Sequence, residues 1–177
     1  SLTEGMRSGK RTVSKFFSAL GIPIYIADVE AKKLMEISPS IRVEIVQLLG
    51  KNAYTKELPN RKYIADEVFK DPSLLEGLNA IIHPRFAAHF KNWYEQQESP
   101  YVVKEAAILF ENGGYKQCDF MILVTAPLKL RIERIKKRDK SSEEEIQNRI
   151  NAQWSDAQKI ALSDVTIENT FLEEKKE

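Results

Sequence analysis

Short apolar, β-branched runs alternate along this chain with stretches in which apolar residues recur every third or fourth position. Val13, Phe16, Phe17 and Leu20 stand at i, i+3, i+4 and i+7, which predicts a helix over 12–20. Gly21 ends that helix, and Pro23-Ile24-Tyr25-Ile26-Ala27-Asp28 reads as a short strand finishing on a carboxylate. Helices are expected over 29–37 and 41–49, separated by Ser38-Pro39-Ser40, and over 60–69 with Asn60 as the N-cap. Asp71-Pro72-Ser73 opens another helix, whose pattern runs through Leu74, Leu75 and Leu78 to Ile81-Ile82 and is expected to stop at His83-Pro84. A long amphipathic helix over 85–97 then carries Phe86, Phe90, Trp93 and Tyr94.

Tyr101-Val102-Val103 and Phe120-Met121-Ile122-Leu123-Val124 have the unbroken apolar character of strands buried on both faces. A helix follows over 128–138. The next, capped by Ser141 or Ser142, is expected to continue to about residue 160, with Ile146, Ile150, Trp154 and Ala157 on one stripe. Val165-Thr166-Ile167 is a last strand, closing on Glu168-Asn169. Strands alternating with helices predict an α/β fold with a largely parallel sheet. The block from 29 to 97 contains no convincing strand and reads as a helical insertion between two sheet strands. No internal repeat is present, which excludes a repeat scaffold.

Composition narrows the class. The 177 residues suit one domain, and 42% hydrophobic with 30% charged residues is ordinary for a soluble globular chain. Lys+Arg (27) and Asp+Glu (26) nearly cancel, so no global field points to nucleic acid or an anionic membrane, and any anion site must be local. The single Cys118 excludes an internal disulfide and a multi-cysteine zinc site, and makes a reducing, cytoplasmic home the default expectation. No apolar run approaches the ~20 residues of a membrane span, and the first residues are too polar for a signal peptide. Only Ser1-Leu2-Thr3 precede the first loop, so either the first strand is very short or residues have been trimmed. Oligomeric state is left open.

The chemistry concentrates at the amino terminus. Residues 2–13 have the outline of a phosphate-binding loop, G-x-x-x-x-G-K-[ST], opening a helix. Such loops work because successive backbone amides wrap phosphates at a helix N-terminus, a lysine adds a point charge, and a hydroxyl holds Mg²⁺. Gly5, Ser8, Gly9, Lys10 and Thr12 fit. Glu4 stands in place of the first glycine, Arg7 stands where bare backbone is usual, and Arg11 replaces the hydroxyl. Thr12 is no ready substitute, because one residue along a helix turns the side chain about 100° away. On its own the segment is also compatible with a polar loop beginning a helix.

Asp28, at the carboxyl end of a strand, sits where ligands bind in open α/β sheets and could accept a proton from an attacking hydroxyl; it could equally cap the following helix. Arg131, Arg134 and Arg138 form a cationic stripe that is either a phosphate clamp or a solvated face. His83 and His89 lack metal-ligand spacing. Glu105 and Glu111 flank an apolar segment, and Glu111 could line a pocket or cap a turn.

Together these segments resemble the dephospho-CoA kinase family, collinearly over nearly the whole chain. That family reads approximately G-L-T-G-G-I-G-S-G-K-S-T-V against residues 1–13, and D-A-D against Ile26-Ala27-Asp28. An F-x-[DN]-P segment and an L-H-P motif match Phe69-Lys70-Asp71-Pro72 and Ile82-His83-Pro84. P-L-L-F-E appears as Ala107-Ile108-Leu109-Phe110-Glu111, without its proline. Arg138-Asp139, Arg149-Ile150-Asn151-Ala152-Gln153 and Ser163 to Asn169 match R-D, R-I-x-x-Q and A-D-x-x-I-x-N.

The resemblance implies a three-layer α/β/α P-loop kinase fold. Its core would be 1–28, 100–128 and 160–177, with a helical CoA-binding insertion at 29–97 and a lid at 129–159. It implies γ-phosphoryl transfer from ATP, with Mg²⁺, to the ribose 3′-hydroxyl of dephospho-CoA. Asp28, Lys10 and Arg138 would be catalytic. Gly5, Arg7, Ser8, Gly9, Lys10, Arg11, Thr12, Arg134 and Asn169 would bind ATP, and His83, Arg85 and Glu111 would border the acceptor. No residue is assigned to the metal, because Arg11 stands at the usual hydroxyl. The departures at Glu4, Arg7 and Arg11 fall on the phosphate side, which keeps open a non-catalytic relative that binds CoA-like ligands or a partner. A third possibility is another small-molecule kinase on the same fold.

Overall fold

The structure is a computed structural model that describes residues 1–138, 142–151 and 153–170. Its elements run β1 (Leu2–Glu4), α1 (Lys10–Ala19), β2 (Ile24–Ile26), α2 (Ala27–Ile37), α3 (Pro39–Leu49), β3 (Tyr54–Thr55), β4 (Leu58–Pro59), α4 (Arg61–Lys70) and α5 (Pro72–Glu95). They continue with β5 (Val103–Glu105), β6 (Ile122–Thr125), α6 (Leu128–Arg138), α7 (Glu143–Asn151), α8 (Asp156–Ile160) and β7 (Val165–Glu168). The chain divides into two compact units, Ser1–Ile26 with Ser99–Glu177, and Ala27–Glu98.

In the first unit five parallel strands lie in the order β2-β5-β1-β6-β7. The short, β-branched runs read from the sequence pair as expected, because a parallel strand covered on both faces needs apolar residues at successive positions. Leu2, Leu123 and Val124 are fully buried, and Leu2, Val13, Val103 and Val124 form one core cluster with Phe17, Ile22, Ile24, Ile122 and Ile167 packed against it. The central strand β1 leads straight into the loop of residues 5–9 and then α1. This is the strand–loop–helix order a phosphate cradle requires.

The second unit is four helices and a small hairpin around Ile41, Ile45, Leu49, Ala53, Tyr54, Ile64 and Leu78. Ser38 caps α3 through the Ile41 amide, and Asn60 caps α4 through the Tyr63 amide at 3.2 Å, the latter as the sequence indicated. The antiparallel β3–β4 pair overturns the expectation that this block is free of strands. Its turn places Lys56 at φ 58°, and neither Lys56 nor Glu57 carries the glycine or asparagine signature by which hairpins are recognised.

Other boundaries also differ. Residues 72–95 form one helix with Pro84 inside it, where a stop was expected. A proline removes one amide donor and crowds the preceding turn, but the flanking turns can hold the helix; here the Arg85 guanidinium donates to the Ile81 carbonyl at 2.8 Å across that turn. The single helix expected from 142 to about 160 is two. Ser142 and Glu145 make a reciprocal cap at the start of α7, whereas Ser155 and Gln158 make a second capping box that restarts the helix as α8. Ser141 lies outside the described residues. Strand β2 stops at Ile26, so Asp28 stands on the first turn of α2 and not on the strand tip. Among the described residues no helix is long and apolar enough to cross a membrane.

Candidate active site

The loop after β1 is built with its carbonyls turned outward and its last amides turned inward. Met6, Arg7 and Ser8 all present their carbonyl oxygens to side chains from the carboxy-terminal half of the chain. Arg131 Nε donates to Met6 O at 2.9 Å, Arg134 Nη1 to Arg7 O at 3.1 Å, and Asn169 Nδ2 to Ser8 O at 2.9 Å. The Met6 amide donates to Gln153 Oε1 at 3.1 Å. Arg134 also reaches the carbonyl of Asn169, whose own amide is held by Thr125 at the end of β6. Four residues, two on α6, one just after β7 and one in the segment before α8, therefore brace a loop more than 120 positions earlier.

Glycine is required at two places by close approach. Gly9 sits at φ +98°, and a Cβ there would lie 2.1 Å from Asn169 Nδ2. A Cβ on Gly5 would meet Asp156 Oδ1 at 2.8 Å, where that carboxylate pairs with Arg131 at 2.9 Å. Arg7, by contrast, adopts φ 60° with a full side chain.

Inside the loop the amides of Gly9 and Lys10 converge on one anion, the carboxylate of Glu4. Its Oε2 accepts from Gly9 N at 2.6 Å and from Lys10 N at 3.0 Å, and its Oε1 faces Lys10 Nζ at 3.3 Å. Short charge-assisted bonds of this kind are the strong ones, and the positive end of α1 adds to them. Lys10 Nζ also lies 3.9 Å from Glu105 Oε1. Glu105 is only 3% exposed at the end of β5, and its Oε2 has no hydrogen-bond partner among the described residues; nor has the hydroxyl of Ser8, which is wholly buried.

Gly5, Arg7, Ser8, Gly9, Lys10, Arg11 and Thr12 thus share one loop and helix start, and Arg134 and Asn169 adjoin it through its carbonyls. Arg138 closes α6, but its side chain lies outside the described atoms. Glu111 is committed to an ion pair: its Oε1 accepts from Lys159 Nζ at 2.8 Å and from the Trp154 amide at 3.3 Å. In the other unit Arg85 pairs with Glu44, and His83 is exposed on α5. Sequence reading missed Lys159, a fully buried ammonium that also reaches the Glu4 carbonyl at 3.5 Å. Nothing in the local pattern distinguished it from a surface lysine, since the apolar Ala157 and Ile160 of the same five-residue helix are the exposed ones. Glu105 was visible merely as a carboxylate flanking an apolar segment, with no role assigned.

The donor set does not suit a magnesium ion at the usual place. Arg11 is exposed where a hydroxyl would coordinate, and among the described residues no group of three His, Cys, Asp or Glu converges.

Comparison with known proteins bears on the same residues. The dephospho-CoA kinase family model matches residues 1–174. A dephospho-CoA kinase from Bacteroides fragilis strain YCH46 is 37% identical over 95% of this chain and 82% of its own length. One from Porphyromonas gingivalis is 40% identical over 86% of this chain and 75% of its own. Among solved structures, TT1252 from Thermus thermophilus superposes with a TM-score of 0.86 at 30% identity, covering 96% of this chain and 87% of that one. Dephospho-CoA kinase from Campylobacter jejuni gives a TM-score of 0.72 at 26% identity, covering 97% and 88%. With a parallel five-stranded sheet, a cradle at the head of α1 and relatives matched along nearly its full length, the chain belongs to the dephospho-CoA kinase family of transferases.

Proposed function

We propose that this chain transfers the γ-phosphoryl group of ATP to the ribose 3′-hydroxyl of dephospho-CoA, giving coenzyme A and ADP in the last step of CoA biosynthesis. The observation that carries the reading is the loop itself: two backbone amides and a lysine at the head of α1 already hold a carboxylate, the same kind of anion contact a phosphate makes. Lys10 and the loop amides would bind the ATP phosphates, with Arg7 and Arg11 adding positive charge beside them and Arg134 and Asn169 on the nucleotide side, while Arg138 would be catalytic with Lys10 by stabilising charge on the transferring phosphoryl group. Asp28 would accept the hydroxyl proton of the acceptor as the phosphorus–oxygen bond forms. His83, Arg85 and Glu111 would border the acceptor; for Arg85 and Glu111 that role requires exchange of the Glu44 and Lys159 pairings for substrate. Magnesium would arrive as part of the MgATP substrate, and no protein hydroxyl at position 11 would hold it.

The test is ADP release that depends on dephospho-CoA, measured with a coupled assay. Asp28→Ala should lower turnover about 10²–10⁴-fold while ATP affinity stays unchanged. Equal loss of both would make Asp28 structural, and preferential turnover of a nucleoside monophosphate or a sugar would assign a different acceptor. Glu4 in the cradle and Arg11 at the hydroxyl position favour a second reading, a non-catalytic relative that binds CoA-like ligands. Micromolar MgATP binding with phosphorylation of dephospho-CoA would dispose of it.

A further inference from the structure

We infer that Glu4 is an internal competitor for the phosphate site: its carboxylate occupies the cradle in the resting chain, and a triphosphate enters only by displacing it. This rests on the reading of residues 5–12 as the site that receives ATP. The groups a phosphate would use are the Gly9 amide, the Lys10 amide and Lys10 Nζ, and Glu4 engages all three at 2.6, 3.0 and 3.3 Å. The occupant is local and covalently tethered five residues away, so its effective concentration at the cradle is set by the chain and not by solution.

The loop holds one further donor. The wholly buried Ser8 hydroxyl has no hydrogen-bond partner among the described residues, although it lies in the same loop. Meanwhile the loop's carbonyls are fastened from behind by Arg131, Arg134 and Asn169, which fixes the amides pointing inward whether Glu4 stays or leaves. Glu4 is the last residue of β1, and rotation of its side chain breaks none of the strand's backbone pairing. Departure of Glu4 would leave Lys10 beside Glu105, 3.9 Å away, so the lysine keeps a carboxylate neighbour while its ammonium turns to the phosphate.

A ligand whose site is open only part of the time loses apparent affinity by that fraction, so an opening of about one in ten gives about a tenfold loss. Inorganic triphosphate, which lacks base and ribose, isolates this term. Calorimetric titration of the full chain should give about tenfold tighter triphosphate binding to Glu4→Gly than to the unsubstituted protein, with Glu4→Gln in between because its carbonyl still accepts from the amides. Glu4→Gln also keeps the side chain's shape, so the comparison survives if the glycine variant folds poorly. In NMR spectra of the unsubstituted chain the Gly9 and Lys10 amide resonances should move together as triphosphate is added. Equal triphosphate affinity in all three proteins overturns the competition alone and leaves the kinase reading standing. Folded proteins that bind neither triphosphate nor ATP with or without Glu4 overturn both.

Discussion

Arg7 shows what a single side chain costs at a position shaped for glycine. At φ 60° a residue with a Cβ is strained by roughly 1 kcal/mol, and this loop keeps the conformation because Arg134 holds the Arg7 carbonyl at 3.1 Å. Arg7→Gly should therefore raise unfolding stability by about 0.5–1 kcal/mol despite the lost side-chain contacts, a shift readable in urea midpoints. An unchanged or lower midpoint would mean that those contacts outweigh the strain. Gly9 sets the opposite case. With Asn169 Nδ2 2.1 Å from where its Cβ would be, Gly9→Ala must displace Asn169 from the Ser8 carbonyl as well as strain φ. A loss of about 2–4 kcal/mol is expected in the same measurement.

Short reciprocal signals decide the elements. Ser155 accepts from the Gln158 amide while Gln158 accepts from the Ser155 amide, and this box turns what would be one long helix into α7 and α8. Because α8 is only five residues long, it cannot persist on propensity and depends on that cap. Ser155→Ala should cost about 1 kcal/mol, and by loosening Asp156 it should also raise amide hydrogen exchange at Met6, whose carbonyl Arg131 holds. Exchange unchanged at Met6 would separate the cap from the loop. The apolar strands, α6 and the capped start of α4 were legible because propensity and burial agree there. Pro84, Lys56 and the Ser155 break were not. Each is a position where a specific side-chain contact or an off-pattern turn overrules the general rule: Arg85 bonding back to Ile81, a lysine in a hairpin at positive φ, and a cap hidden inside a continuing apolar stripe. The cradle outline could be read from Gly9 and Lys10, whereas its occupant could not, since nothing in the spacing tells which way Glu4 points.

At the scale of the whole molecule each unit contains a buried polar side chain that ties separate elements together. In the first, Lys159 joins Glu111 to the Glu4 carbonyl with no exposure of its own. Lys159→Met should cost about 3–5 kcal/mol, since it leaves a carboxylate largely buried, and Glu111→Leu added to it should restore much of the loss. In the second, the Tyr54 hydroxyl donates to the Met35 carbonyl at 2.7 Å while its ring lies under Arg42, 5.4 Å from the guanidinium. Burial pushes the Tyr54 phenol above the ordinary tyrosine value, and Arg42 and Arg61 only partly oppose the shift. The folded chain thus holds this proton more tightly than the unfolded chain does. Its contribution to stability is complete below the unfolded value of about 10 and declines as pH climbs from there through the raised folded value. Five other tyrosines also titrate in alkali, so the informative quantity is the difference from Tyr54→Phe. That variant should be less stable than the unsubstituted chain at pH 8, by the lost hydrogen bond, about 1 kcal/mol. The gap should close as the pH passes 10, because only the tyrosine-bearing chain then loses its proton on unfolding. Urea midpoints for the two proteins that stay parallel up to pH 11 would show that Tyr54 titrates alike in both states and that its burial does not set the alkaline limit of this unit.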